Sequence, residues 1–304
     1  MDPLIFTLIF ALLIDIIIGE PPRSIHPVVW MGNLIKFLKG KLNKGGKRKL
    51  KGVILALLVI TLFTLPLFFL PYDNIVYLIL SSFLLKTTFA LRAMDKFVKP
   101  IAEKVKEKDF ERAKVLLTHV VRRDTKSLKE HQVISAAVET TAEGTVDGLI
   151  SPLFYYLIFG LPGAMAYRVI NTLDSMVGYK DEENRDIGYF SAKLDTLANY
   201  IPARLVAFLT ILSSFLLKLD WKNSLYVTLR YARKTESYNA GYPMASMAGA
   251  LGVVLEKPNH YILGIKRRDL NYQDIYTALK IMKLNLLLFL LIFYIPLILL
   301  KGVW

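Results

Sequence analysis

The sequence predicts an all-α, polytopic integral membrane protein with about five to six apolar spans and cytoplasmic helical connections. Hydrophobic residues make up 54% of the 304 residues, and they are gathered in long runs. Each run approaches the length of about 20 apolar residues that crosses about 30 Å of hydrocarbon as a helix. A soluble core does not need so many runs of this kind. The runs are residues 3–18, 53–70, 75–91, 149–166, 203–219 and 284–300.

The charge pattern favours the same class. The formal net charge is +14, and most of it lies in hydrophilic connections that adjoin the apolar runs. Residues 36–51 carry Lys and Arg but no acid, which places this connection in the cytoplasm by the positive-inside rule. We therefore expect a multi-pass protein of the cell membrane, with the lipid bilayer as its partner and no nucleic acid. The absence of cysteine excludes disulfides and Cys-ligated metals.

We predict one membrane-embedded domain over residues 1–304. Within it, residues 92–148 form a cytoplasmic or interfacial helical segment, because Lys and Arg alternate there with apolar residues. Residues 167–202 and 220–280 are polar connections that carry site residues. Lys86 lies near the end of an apolar run, where its long side chain is expected to reach the membrane surface.

The run 149–166 contains helix-breaking residues. Pro152, Gly160, Pro162 and Gly163 predict a broken or re-entrant helix, which is tolerated where the backbone is buried in protein or lines a cavity. Six full crossings would put residues 168–199 outside. A chain that turns back within the run would return them to the inner side.

A polar stretch precedes this run. Glu139, Glu143 and Asp147 are four residues apart, so in a helix they share one face. Like charges on one face repel each other unless a cation or a basic group lies against them. Arg122 and Arg123, just upstream, have the fork geometry that suits phosphate or carboxylate. The alternative is a solvated helix face with salt bridges.

The chemistry that the sequence offers is that of carboxylates, amides and arginines. Walker-type phosphate loops, G-x-S-x-G turns and H-E-x-x-H helices are absent from the sequence. The remaining groups suit Mg²⁺, which takes one or two carboxylates together with substrate phosphates. Asp174 resembles a ligand because its neighbours are apolar, although a pairing with a nearby arginine is the alternative.

Several blocks of the sequence resemble, in order, the CobD/CbiB family of cobalamin biosynthesis. Examples are HPVVWMGNLI, AAVETTAEGTVDGLISPLFYY and NAGYPMASMAGALGV. The family usually has Ala-Glu-Asn where this chain has Glu143-Gly144, and an Asp-Asp pair where it has Asp195-Thr196. The blocks are residues 26–35, 121–125, 136–156, 167–180, 192–205 and 239–253.

The resemblance implies an adenosylcobinamide-phosphate synthase, an ATP-dependent acid–amine ligase. Such an enzyme joins adenosylcobyric acid to aminopropanol, or to its O-phosphate, through an amide bond. Mg²⁺ and ATP are then expected, with a corrinoid and an aminopropanol-type amine as substrates. The phosphorylation state of the amine is left open, as is association with further copies or with other corrinoid enzymes.

Roles follow for the polar residues on this hypothesis. The base that takes a proton from the amine is one of three candidates, Glu139, Glu143 and His119. The residues expected to bind phosphates or a corrin side-chain carboxylate are Arg122, Arg123 and Arg204. The residues expected to form hydrogen bonds with substrate amides are Asn171, Asn199 and Asn239. The metal–nucleotide ligands are Glu139, Glu143, Asp147 and Asp174.

Other functions compete with the ligase. A transporter would also place polar residues near membrane depth, but the large connections with clustered Arg and Asp speak against it. A lipid phosphotransferase would use Mg²⁺ and carboxylates at a membrane face, but its usual acidic clusters are not matched. A purely structural membrane partner gives no reason for the many Asn, Asp and Arg residues.

Overall fold

The computed structural model describes residues 3–70 and 74–296, and its architecture confirms the all-α membrane class. The predicted run 284–300 extends beyond the described residues. The elements are α1 (Pro3–Ile17), α2 (Pro27–Leu42), α3 (Arg48–Thr64), α4 (Ile75–Lys86), α5 (Leu91–Lys106), α6 (Phe110–Leu117), α7 (Glu130–Thr145), α8 (Ser151–Val177), α9 (Tyr189–Ala198), α10 (Tyr200–Leu216), α11 (Trp221–Tyr231), α12 (Gly241–Leu251), β1 (Val254–Lys257), β2 (Tyr261–Gly264) and α13 (Tyr272–Phe289).

The described helices offer four or five membrane spans, by length and composition. A fifth span results if α9 and α10 are counted as one bent span. The first apolar run forms α1, whose 15 residues are fewer than the about 20 that a full crossing needs. The four long stretches are Arg48–Phe69, Ile75–Lys106, Glu130–Val177 and Tyr272–Tyr294.

The contacts divide the chain into two compact units. The first comprises the described residues up to Ala90 together with Ser151–Asn199, and the second comprises Leu91–Ile150 together with the described residues from Tyr200 onward. Contact units are not the same as independently folding domains, so the single domain over 1–304 stays a prediction.

In the first unit, α1 packs against α4, and α8 packs against α2, α3 and α4. Helix α8 is broken at Gly160, whose φ of 65° and ψ of −157° are not helical. The hydroxyls of Ser151 and Tyr167 both donate to Asn199 Oδ1, at 2.7 and 2.9 Å. In an unbroken helix these two residues would lie about 24 Å apart, at about 1.5 Å per residue. The chain therefore turns back at Gly160, which confirms the predicted break.

The loop that follows α8 lies beside the basic connection between α2 and α3. Asn43 Nδ2 donates to the carbonyl oxygen of Glu183 at 3.0 Å, and Arg48 donates to the same oxygen. Lys39 Nζ lies 2.7 Å from Glu183 Oε1. The two connections therefore share one side, as the turning-back alternative requires and six full crossings do not.

Lys86 does not reach the membrane surface, so that prediction is wrong. Its side chain is fully buried at the contact between α1 and α4. Its Nζ lies 2.9 Å from Asp15 Oδ1 and 2.8 Å from Glu20 Oε1. The buried carboxylate of Asp15 holds the ammonium group inside the helix pair, since an unpaired charge there would be costly.

The second unit contains the helices of the predicted segment 92–148, α5 to α7, together with α10 to α13. It also contains a two-stranded antiparallel hairpin, in which Val254 pairs with Gly264 and Lys257 pairs with Tyr261. Asn259, in the turn, has a φ of 62°. This hairpin packs on α7 and was not predicted from the sequence.

Candidate functional site

Glu139 of α7 is buried, and its carboxylate is fully engaged within the second unit. Oε1 accepts a hydrogen bond from Ser135 Oγ at 2.5 Å. Oε2 accepts from Tyr261 Oη at 2.9 Å and from Arg123 Nη2 at 3.3 Å. Ser135 lies one helical turn before Glu139, so the helix itself places this donor. Glu139 and Arg123 were both predicted site residues, and the structure brings them together as an ion pair.

The hairpin brings two further side chains to this face of α7. Lys257 and Tyr261 are cross-strand partners, so their side chains lie on the same face of the hairpin. The backbone N–H of Glu256 donates to Ser135 Oγ at 2.8 Å, which fixes β1 against the helix. Ser135 thus joins the hairpin to the carboxylate of Glu139.

Glu143 lies one helical turn beyond Glu139 and differs from it. Among the described residues, no donor forms a hydrogen bond or a close ion pair with its carboxylate. Lys257 and Arg123 lie within electrostatic reach of it, as does the carboxylate of Glu139. Glu143 is therefore a carboxylate with open acceptor positions between two cations and one acid.

The residue after Glu143 is Gly144, which packs against α5. A Cβ atom at Gly144 would lie 2.6 Å from Met94 Cε and 2.9 Å from Met94 Sδ. The flexible thioether of Met94, from α5, thus fills the space beside Gly144 in this protein.

Two groups beside the site have perturbed acidities. Burial and the carboxylates of Glu139 and Glu143 raise the pKa of Tyr261, so its hydroxyl stays protonated and donates. On the other side of β1, Glu256 accepts hydrogen bonds from Gln132 and His131, which lower the pKa of Glu256.

Arg204 and Asn239 were both predicted, and they meet elsewhere in the second unit. Arg204 Nη1 donates to Asn239 Oδ1 at 3.2 Å and to the Tyr200 carbonyl oxygen at 2.6 Å. The guanidinium carbon lies 3.5 Å from the ring centre of Tyr200 and 4.2 Å from that of Tyr242. The two rings thus flank the cation, a favourable arrangement for arginine.

The remaining predicted residues are placed differently. Asn199 is buried in the first unit, and its side-chain amide already forms hydrogen bonds. Its Nδ2 donates to Asp195, and its Oδ1 accepts hydrogen bonds from the hydroxyls of Ser151 and Tyr167. Asn171 and Asp174 are half-buried on α8, also in the first unit. Three predicted residues of the second unit lie outside the contacts around Glu139: exposed His119, exposed Arg122 and half-buried Asp147, in the π-helical turn Val146–Ile150.

The donor set does not form a resident magnesium centre. Across residues 3–70 and 74–296, no group of three or more His, Asp or Glu side chains is close enough to hold a metal ion. The carboxylate oxygens of Glu139 already accept hydrogen bonds from Arg123, Ser135 and Tyr261. Only Glu143 in this cluster has open acceptor positions, and Mg²⁺ needs further oxygens, such as substrate phosphates. The four proposed metal ligands stay predictions.

Ser135, Lys257 and Tyr261 were not among the predicted site residues. Ser135 precedes Glu139 by four residues, a spacing that could have suggested the contact. The hairpin also left a signal: two short apolar segments flank Pro258-Asn259-His260, and Pro and Asn favour turns. No spacing rule, however, connects residues 257 and 261 to a helix more than one hundred positions earlier.

A family model described as CobD/Cbib protein matches residues 8–282. The chain belongs to this family. Among its relatives is the probable cobalamin biosynthesis protein CobD of Methanothermobacter thermautotrophicus, 44% identical over 93% of this chain and 94% of the relative. That of Thermoplasma volcanium is 42% identical over 99% of this chain and all of the relative (100%).

A third relative is similar over most of the chain. The cobalamin biosynthesis protein CobD of Dehalococcoides mccartyi is 40% identical over 91% of each chain. No solved structure matches the chain. The family expected from the sequence blocks is therefore confirmed.

Proposed function

We propose that this protein is an adenosylcobinamide-phosphate synthase of cobalamin biosynthesis. It would join the carboxylate of adenosylcobyric acid to the amine of aminopropanol, or of its O-phosphate, with hydrolysis of ATP. The relatives are named as cobalamin biosynthesis proteins, which supports the pathway. The observation that carries the chemistry is Glu143, a carboxylate with open acceptor positions beside Lys257 and Arg123.

The first step activates the carboxylate. Oxygen of the corrinoid carboxylate attacks the terminal phosphorus of ATP, the bond to the bridging oxygen breaks, and an acyl phosphate and ADP result. Magnesium would enter with the nucleotide and offset the charge of its phosphates. Arg123 and Lys257 supply positive charge on the face of α7 where the phosphoryl group would lie.

The second step forms the amide. The amine is an ammonium ion at neutral pH, so it must lose a proton before its nitrogen can attack. Glu143 accepts that proton, the nitrogen attacks the acyl carbon, and the bond from that carbon to the phosphate oxygen breaks. The nitrogen loses its second proton to the departing phosphate, so the products are the amide and hydrogen phosphate, with the first proton on Glu143.

The structure of the cluster favours Glu143 over the other two candidate bases. The oxygens of Glu139 already accept hydrogen bonds from Ser135, Tyr261 and Arg123. His119 is exposed beyond the end of α6 and, in the described part of the chain, its side chain forms no hydrogen bond or ion pair with these residues. We place the reaction at the cytoplasmic membrane.

Glu143→Gln tests the proposal. Purified protein in detergent is incubated with adenosylcobyric acid, ATP–Mg²⁺ and either amine, and the corrinoid products are identified by mass spectrometry. We expect amide formation to fall about 10²- to 10⁴-fold, the usual contribution of a general base. Acyl phosphate should still form, and hydroxylamine would trap it as a hydroxamate.

The matched control is Glu130→Gln, which changes an exposed acid in the first turn of the same helix. It should leave both rates unchanged. Near-normal amide formation by Glu143→Gln would remove Glu143 as the base. Failure of the unaltered protein to make the amide from either amine would reject the ligase itself.

A further inference from the structure

A second cluster of cationic groups lies in the second unit, where α10 begins and α11 and α12 meet. Arg204 is half-buried between the rings of Tyr200 and Tyr242. Arg233, beyond the end of α11, is within hydrogen-bond reach of the Tyr242 hydroxyl, and so is Arg204. Two guanidinium groups therefore converge on one phenol oxygen.

The charges of this cluster are not neutralised inside the protein. In the described part of the chain, no carboxylate forms an ion pair with Arg204 or Arg233. The hydrogen bonds of Arg204 to Tyr200 and Asn239 both use Nη1. Even with one further N–H directed at the Tyr242 hydroxyl, at least two of the three N–H groups on Nε and Nη2 are left as donors. Arg204 is half-buried beside two aromatic rings, whereas Arg233 is exposed, so an anion is held more strongly at Arg204 than at a fully exposed arginine.

The amino end of α12 adds the positive end of a helix dipole but few backbone donors. The N–H groups of Tyr242 and Met244 already donate to the carbonyl oxygens of Asn239 and Ala240, and Pro243 has no N–H. This helix has 11 residues and begins at Gly241, next to Tyr242. A Cβ atom at Gly241 would lie only 2.0 Å from the Ala232 carbonyl oxygen, so glycine permits the close contact of α12 with the end of α11. That contact keeps Arg233 beside the start of α12, where the helix dipole favours negative charge.

We propose that Arg204, Arg233 and the amino end of α12 bind a phosphate group. Two guanidinium forks and a helix end match the charge and the several oxygens of a phosphate better than those of a single carboxylate. The phosphate could come from the nucleotide or from a lipid headgroup, since tyrosines beside an arginine at the end of an apolar helix are typical of the membrane interface.

The inference extends the role of Arg204 in the proposed function, but it is tested by binding alone. Calorimetry with purified full-length protein in neutral detergent measures the affinity for ATP and for inorganic phosphate. Native mass spectrometry measures retention of phosphatidic acid against diacylglycerol, which lacks the phosphate. If the unaltered protein binds phosphate but shows no ligase activity, the proposed function is rejected while the phosphate site stands.

Three variants complete the test. Arg204→Gln and Arg233→Gln should each weaken binding of the phosphate ligand about 10- to 100-fold, the usual effect of losing a hydrogen bond between charged groups. Arg204→Lys should weaken it less, because the charge remains. Arg230→Gln, an exposed arginine of the same helix end, is the control and should bind normally.

Two results would overturn the proposal. In the first, the unaltered protein binds neither ATP, inorganic phosphate nor phosphatidic acid. In the second, both Gln variants, with unchanged unfolding temperatures, bind as tightly as the control. Retention of phosphatidic acid without ATP binding would instead assign the site to lipid.

Discussion

At the scale of single residues, Lys86 shows how a charge is held among apolar helices. It is fully buried, it contacts Asp15 and Glu20, and it also donates to the Phe89 carbonyl oxygen at 3.3 Å. Glu20 in turn is bonded to His26, which caps the start of α2. One ammonium group thus connects α1, the loop after it and α4.

We expect Lys86→Met to lower the free energy of unfolding by about 3–5 kcal/mol, because it leaves two carboxylates without their shared cation. The midpoint of chemical unfolding in detergent measures this loss. Lys36→Met, which alters an exposed lysine of α2, serves as the control and should change the midpoint little. Equal midpoints for the two variants would show that Lys86 contributes no more than a surface charge.

At the scale of elements, the hairpin and α7 form the candidate site together. Ser135 is the residue that joins them, since its hydroxyl accepts from the Glu256 N–H and donates to Glu139. Tyr261 makes the second connection, to the other oxygen of Glu139. The position of Lys257 near Glu143 therefore depends on hydrogen bonds made one helical turn away.

Ser135→Ala should destabilise the protein by about 1–3 kcal/mol, because it leaves a buried N–H and a buried carboxylate oxygen each short of a partner. It should also lower the ligase rate, since Lys257 is then less firmly placed. Thermal unfolding and product formation measure the two effects. Thr277→Ala, which removes an exposed hydroxyl that bonds only within α13, is the comparison.

If Ser135→Ala matches Thr277→Ala in both stability and rate, the hairpin is held by packing alone. A loss of stability with an unchanged rate would separate the hairpin's attachment from catalysis. The first outcome contradicts the role of Ser135, and the second contradicts the role of Lys257.

Sequence patterns predicted the structural features that are set by residues close together along the chain. The break at Gly160 was predictable because glycine and proline act on their own backbone. The carboxylates of Glu139 and Glu143 were predictable because helical spacing puts them on one face. The burial of Lys86 was not, since its partner Asp15 is distant in sequence, and the isolated pattern equally suits a lysine that reaches the membrane surface.

At the scale of the whole molecule, the contacts of Glu183 bear on membrane topology. The loop after α8 is bonded to Asn43 and Arg48, in the basic connection between α2 and α3. A loop on the far side of a bilayer could not make these bonds. By the positive-inside rule we expect this shared side to face the cytoplasm.

Cysteine labelling tests that assignment in a chain that has no cysteine of its own. Glu183→Cys and Lys44→Cys should react with an impermeant maleimide from the same side, the inner side of sealed vesicles. Both positions are exposed, so the reagent can reach them. Labelling of the two residues from opposite sides would rule out the described packing of these loops in the membrane.

Each compact unit is assembled from two stretches of chain that are far apart in sequence. During translation, α3 and α4 leave the ribosome long before α8, the helix they pack against, has been made. The insertion machinery must therefore keep these helices apart from wrong neighbours until residue 199 has emerged. A premature stop anywhere between residues 91 and 198 consequently yields neither unit in full.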